Sequence, residues 1–164
     1  MSSIAVRGAA PADADAIAVI YNQGIEDRLA TLETETRSAE ERRRWLGARG
    51  PRHPVLVGET SGRIVGWGSL NSFNPRPAYD HVADFSVYVE RDWRGRGVGR
   101  RLLEALIARG RELGYHKLVL AAFPFNVAGV ALYRRLGFAE VGVYREQGQL
   151  DGKWVDVVVM EKLL

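Results

Sequence analysis

The sequence predicts an α/β (α+β) fold, a mixed sheet flanked by helices, and three observations carry that prediction. Apolar residues alternate in short runs at some points and recur at helical spacing at others. Strand-like and helix-like segments interleave in the order β-α-α-β-β-β-α-β-α-β-β. Glycines, prolines and Ser-Gly or Asp-Gly pairs punctuate the boundaries.

Ile4 to Ala9 alternates like a strand. Pro11 then stands near a helix start, with Ala16, Ile17, Ile20 and Tyr21 on one face. The stretch EDRLATLETETR has no clean period and reads as a loop. Ser38 opens S-A-E-E, a capping box with Glu41 at the third helical position, and Trp45 and Leu46 mark the buried side of a short helix. Val55 to Glu59 and Arg63 to Phe73 read as a hairpin turning at Thr-Ser-Gly. NPRPAYDH interrupts the sheet, and Val82 to Glu90 resumes it. A helix follows through about Leu113, ended by Gly114. HKLVLAAF is a strand, Asn126 to about Leu136 a helix stopped by Gly137, and strands around Phe138 to Leu150 and Trp154 to Lys162 turn at Asp151-Gly152.

At 164 residues the chain is expected to form one domain, 1–164. Its 46% hydrophobic and 26% charged content is that of a soluble globular protein. No apolar run is long enough for a membrane span, and no basic segment precedes an apolar block at the start, so the expectation is a cytoplasmic protein without a membrane partner. The absence of cysteine excludes disulfides, thiolate catalysis and cysteine-bound metal. Of 23 basic residues all but Lys117, Lys153 and Lys162 are arginine, yet a net charge of +3 is too small to argue for nucleic acid. Trp93 is the sole aromatic among the arginines of 91–101, so base stacking is not expected either.

The chemistry concentrates in RDWRGRGVGRRLLEAL, Arg91 to Leu106. A helix start leaves N–H groups unpaired and carries partial positive charge, and glycines let backbone approach an anion. That makes a phosphate cradle. The loop is not G-x-x-x-x-G-K-[ST], and Arg100 stands where G-x-G-x-x-G needs its third glycine. It does match R-x-x-G-x-G at Arg94, Gly97 and Gly99. The residues alone leave two readings, a phosphate site or an arginine-rich helix start with flexible glycines.

With FSVYVE ahead of this loop and N-x-A-x-x-x-L-Y-x-x-L-G-F after it (Asn126, Ala128, Leu132, Tyr133, Leu136, Gly137, Phe138), the chain resembles the GNAT family of N-acetyltransferases over nearly its whole length. The resemblance implies a mostly antiparallel, twisted sheet of about seven strands with four helices. It implies acetyl-CoA as co-substrate and no metal. Val87, Tyr88 and Val89 would hold the pantetheine, Arg94, Gly95, Arg96, Gly97, Val98, Gly99 and Arg100 the pyrophosphate, and Asn126 the pantetheine arm. A bulge would free the Val87 N–H for the carbonyl oxygen. Tyr133 would protonate the departing thiolate. From the residues alone, VYV is equally an ordinary strand, Asn126 a helix N-cap and Tyr133 a core tyrosine.

IYNQGIEDRLATLET, PRPAYDHVADFSVYV and GQLDGKWVDVVVMEKLL resemble the branch that acetylates phosphinothricin, methionine sulfoximine and arsinothricin. In that branch an acid, usually glutamate, stands three positions before V-Y-V. Asp84 occupies the position, one methylene shorter, and would work on the amine through water. Its alternative is a strand-edge acid paired with Arg76 or His81. Arg76 would meet the acceptor's acidic group, Phe85 and Ser86 would line the acceptor, and Arg28 to Glu33 would cover it, with Thr31 matching the branch and Leu32 standing where phenylalanine is usual. Trp154 and Asp156 match a hairpin near a dimer interface, so a homodimer is implied.

The expected function is acetyl transfer to the α-amino group of a small amino-acid-like substrate. The alternatives are acetylation of a protein N-terminus or lysine, and a catalytically idle acetyl-CoA-binding module.

Overall fold

The computed structural model describes residues 3–164; Met1 and Ser2 of the expected domain lie outside the described residues. Four helices flank seven strands: β1 (Ala5–Gly8), α1 (Ala14–Glu26), α2 (Ala39–Gly47), β2 (Val55–Thr60), β3 (Arg63–Ser72), β4 (Val82–Val89), α3 (Val98–Glu112), β5 (Lys117–Ala122), α4 (Val127–Arg135), β6 (Ala139–Leu150) and β7 (Lys153–Leu163). The strands form one sheet in the order β1-β2-β3-β4-β5-β7-β6. Every neighbouring pair is antiparallel except β4–β5.

The tight hairpins follow from local chemistry. Ser61-Gly62 (φ 49° and 75°) and Asp151-Gly152 (φ 51° and 77°) both adopt the left-handed pair that a two-residue turn between twisted strands requires. At the start of α2, the Ser38 hydroxyl accepts the Glu41 N–H at 3.1 Å. The Glu41 carboxylate turns to Arg42 instead (2.6 and 2.9 Å), so only half of the expected capping box forms.

One face of the sheet packs on α3 and α4 through Leu70, Phe85, Leu102, Leu103, Leu106, Leu118 and Met160. The other packs on α1 and α2 through Ile17, Ile20, Val57 and Trp67. In β3 the extra residue Val65 bulges opposite the Gly58/Glu59 step of β2, so Ile64 and Trp67 share a face despite their odd spacing. Gly66 and Gly68 bring α3 down onto the sheet. A Cβ on Gly66 would meet Val98 Cγ1 at 2.7 Å and Leu102 Cδ1 at 2.9 Å.

The parallel pair is short. Val82, Ala83 and Asp84 pair with Lys117, Leu118 and Val119. Beyond that point β4 stays with β3 as far as Val89↔Gly66, and β5 stays with β7 as far as Ala122↔Val158. The two strands therefore part, and a cleft opens through the middle of the sheet.

Because Gly66 seats the first turn of α3, Gly66→Ala is expected to cost about 1–3 kcal/mol of stability by overpacking. A urea denaturation curve checks it; an unchanged midpoint would mean that α3 is not held at this distance.

Candidate active site

The cleft is lined by two adjoining cavities. The larger, about 830 Å³, runs from Arg94, Gly95, Gly97, Gly99 and Arg100 along Val87, Tyr88 and Val89 to Asn126 and Leu132. The smaller, about 370 Å³, lies among Thr31, Leu32, Asp84, Phe85, Ser86, Tyr133, Tyr144 and Gln147. Leu29, Ala30, Val87, Tyr88 and Asn126 belong to both.

The wall between them is an unfinished strand edge. Glu90 N–H donates to the Val65 carbonyl at 2.8 Å, which makes 65/90 a hydrogen-bonded pair. Alternation along an antiparallel ladder then directs the main-chain groups of Tyr88 and Ser86 to β3, and those of Val87 and Val89 away from it, into the cleft. The expected bulge is absent: β3 and β4 stay in register from Gly66↔Val89 to Ser72↔Ala83. The Val87 N–H is freed by the departure of β5 instead. Tyr88 contributes its side chain to the cavities, while its main chain belongs to the sheet.

At the far end, Gly95 and Gly97 have φ of 74° and 88°, and Gly97 caps α3 with no side chain. The first helical bond within α3 runs from Arg101 N–H to the Gly97 carbonyl. The N–H groups of Val98, Gly99 and Arg100 thus precede the helical ladder, the open donors of a helix start. The loop is tied to α1 from the side. Asp27 accepts Arg94 Nη1 at 2.7 Å and Arg91 Nη2 at 2.9 Å, and the paired guanidinium of Arg91, followed by that of Arg94, holds the Asp27 carboxyl below the usual carboxylate range. Gln23 accepts the Arg91 N–H at 2.8 Å. Arg96 stacks over Trp93 at 4.2 Å and Arg100 pairs with Glu104 at 2.7 Å. Arg96 and Val98 do not line the larger cavity; Val98 is buried beneath the helix start.

Asn126 Oδ1 accepts the Gly129 N–H at 3.2 Å, so it does cap α4, and the residue still borders both cavities. Tyr133 packs edge-on to Phe85 with ring centroids 5.9 Å apart. Its hydroxyl makes no hydrogen bond among the described residues and is not sealed off, and the residue borders the smaller cavity; burial pushes the phenol above its ordinary value.

Asp84 is half-buried, and burial raises its carboxyl above the usual range. Its partner is neither Arg76 nor His81. Asn71, directly across on β3, donates Nδ2 to Asp84 Oδ1 at 3.0 Å. Arg76 and His81 are exposed, and Arg76 lines neither cavity; its N–H is held by Asn74 Oδ1 at 3.0 Å.

The segment after α1, Leu29 to Leu32, forms one wall of the smaller cavity. Arg28, at φ 55°, reaches Asp151 of the β6–β7 turn at 3.2 Å. Leu32 rests on Gly148, where a Cβ would come within 2.5 Å of Leu32 Cδ2. A break in the β6–β7 register between Tyr144 and Gly148 puts three residues opposite Asp156, whose carboxylate accepts the Glu146 N–H at 2.8 Å. Tyr144 and Gln147 reach the cavity from this bulge. Neither they nor Asn71, nor Arg135 of α4, which lines the larger cavity, are signalled by a motif; each depends on strand register or helix placement that local sequence does not encode.

Among the described residues no group of three or more His, Asp or Glu side chains is placed to hold a metal ion, and no helix is long and apolar enough to cross a membrane.

Residues 21–138 match the family model described as Acetyltransferase (GNAT) family. An L-methionine sulfoximine/L-methionine sulfone acetyltransferase of Pseudomonas paraeruginosa is 35% identical over 97% of this chain and 94% of its own length. Among solved structures, a GNAT superfamily phosphinothricin acetyltransferase from Sinorhizobium meliloti, in complex with acetyl-CoA, superposes with a TM-score of 0.93 at 29% identity, over 98% of this chain and 88% of that one. A ribosomal-protein-alanine N-acetyltransferase from Brucella melitensis gives a TM-score of 0.94 at 38% identity, over 98% of this chain and 99% of that one.

A carboxyl whose folded pKa is raised costs no stability below its unfolded value and a growing amount as pH rises through the folded value. Asp84→Asn keeps the bond from Asn71 and removes that cost. It is expected to raise the melting midpoint by about 1–3 °C at pH 8 and not at pH 3.5, as a thermal melt at both pH values would report.

Proposed function

The chain belongs to the GNAT acetyltransferase family, and within it we propose that the protein transfers the acetyl group of acetyl-CoA to the α-amino group of a small amino-acid-like acceptor. The acceptor is of the methionine sulfoximine or phosphinothricin type. The observation that carries this reading is the small size of the cavity beside Asp84. One of its walls is fastened to the hairpin by the Arg28–Asp151 ion pair and by Leu32 seated on Gly148. A volume of about 370 Å³ suits a single amino acid, whereas a peptide needs a continuous groove.

The residues present fit acetyl-CoA. The unpaired edge at Val87 and Val89 can accept an added strand-like arm. The α3 start, with Arg94 and Arg100 beside it, suits a pyrophosphate. In the proposed reaction Asp84, through a water, removes the proton from the acceptor ammonium. The freed amine attacks the thioester carbonyl carbon, so that a C–N bond forms as the C–S bond breaks. The Val87 N–H faces the developing negative oxygen. Tyr133 gives its proton to the departing thiolate and regains one from the second proton that the nitrogen sheds as the amide forms, so that the net proton, carried by Asp84, passes to solvent. The proposed acceptor residues Thr31, Leu32, Phe85 and Ser86 line the same cavity.

Arg76 stands outside the cavity of a single copy, so its contact with the acceptor's acidic group is proposed to come with its loop moving or from a second copy. A homodimer is part of the proposal. β6 is an edge strand, and Val141, Val143, Tyr144 and Trp154 are exposed on its hairpin. Trp154→Asp is expected to shift sedimentation from dimer to monomer; a wild-type profile would remove this hairpin from the interface.

A second reading, transfer to a protein N-terminus, is favoured by the likeness to the Brucella enzyme. Release of CoA from acetyl-CoA, followed with a thiol reagent, separates the two, since the chain has no thiol of its own. Turnover of L-methionine sulfoximine or phosphinothricin is expected, with none on alanyl peptides; the reverse would overturn the acceptor. Asp84→Asn is expected to lower kcat about 100-fold and Tyr133→Phe about 10- to 100-fold.

A further inference from the structure

Asp84 is held by a side chain that the mechanism above does not use. Asn71 Nδ2 donates to Asp84 Oδ1 at 3.0 Å and to Ser86 Oγ at 3.3 Å. Its Oδ1 accepts Arg49 Nη2 at 2.9 Å and Ser69 Oγ at 3.0 Å. A carboxamide has two N–H donors and two lone pairs on oxygen, and all four are engaged. Turning the amide over would set its donors against Arg49 and its oxygen against Asp84. Arg49 is itself fixed, donating to the Leu70 carbonyl at 2.6 Å and the His53 carbonyl at 2.9 Å, with its guanidinium over Trp45 at 4.5 Å.

The second oxygen of Asp84, Oδ2, makes no hydrogen bond among the described residues and is not sealed off, and Asp84 borders the acceptor cavity. One oxygen is anchored and the other is free to work. We propose that Asn71, locked by Arg49, is a positioning residue for acetyl transfer: it holds Asp84 by Oδ1 so that Oδ2 serves the acceptor, and it favours the ionised carboxylate. This rests on reading Asp84 as the base. It also accounts for how a side chain one methylene short of glutamate can present a defined oxygen to a bridging water.

The charged and titratable groups around Asp84 are few. Arg49 acts through Asn71. Tyr88 on the same strand and Tyr133 across the cavity are phenols pushed up by burial. Lys117 of β5 and Glu161 of β7 are paired with each other. Burial opposes ionisation of Asp84, and the Asn71 donor opposes burial. Removing the donor therefore raises the carboxyl's proton affinity.

The test is a pH profile of kcat/KM with L-methionine sulfoximine, together with a carboxyl titration by ¹³C NMR on aspartate-labelled protein carrying acetyl-CoA, the Asp84 signal being assigned with Asp84→Asn. Asn71→Ala is expected to move the acid limb and the Asp84 titration up together by about one pH unit, a tenfold change in proton affinity. Asn71→Asp, of the same size, moves both further. In the Asp84→Asn background Asn71→Ala changes kcat less than twofold, because the two residues act as one unit. If Asp84→Asn loses turnover while Asn71→Ala keeps the wild-type limb and titration, the base reading stands and this proposal falls. If Asp84→Asn keeps full turnover, both fall. Unchanged acetyl-CoA affinity and a single cooperative melt in Asn71→Ala separate positioning from a general loss of fold.

Discussion

The separation of β4 from β5 after three residue pairs is the constraint from which the rest of the molecule follows. Each strand keeps its other neighbour, so neither can close the gap. Main-chain donors and acceptors facing a gap must find partners, in protein, water or ligand. The cleft is thus a demand for hydrogen bonds placed between two hydrophobic layers. An extended, amide-bearing molecule answers it as a strand would. The helix that begins beside it extends the same logic to an anion, since its leading N–H groups are equally unanswered.

Charge is arranged to keep this geometry without filling it. Asp27 gathers Arg91 and Arg94 against the end of α1, which steadies the glycine loop while leaving its N–H groups open. Further back along β4 the carboxylate of Asp84 is balanced between burial, which opposes its charge, and the amide of Asn71, which supports it. A carboxyl in that position is held at a proton affinity that a water-exposed aspartate does not have.

Much of this was legible in the chain. Alternation and helical spacing located all seven strands and four helices, and several of the turns between them fall where Ser-Gly, Asp-Gly or a terminal glycine permits a positive φ. The glycine loop was legible because its chemistry is local. Relations across the sheet were not. Asn71 meets Asp84 only through the β3–β4 register, set across an irregular connection of nine residues rather than a tight turn. Tyr144 and Gln147 depend on a bulge that no turn residue announces. The bulge expected at Val87 failed for the complementary reason: a free N–H can arise from a missing neighbour as well as from an extra residue.

The β6 bulge has an evolutionary consequence. It lies on an edge strand, with β7 as its single neighbour and the Asp156 carboxylate clasping the Glu146 N–H. Residues can be gained, lost or exchanged between Tyr144 and Gly148 without disturbing β4, the glycine loop or either hydrophobic layer. The wall proposed for the acceptor is in this sense modular. A lineage can rewrite a few positions at this rim while the cleft between β4 and β5 and the glycine loop are inherited intact.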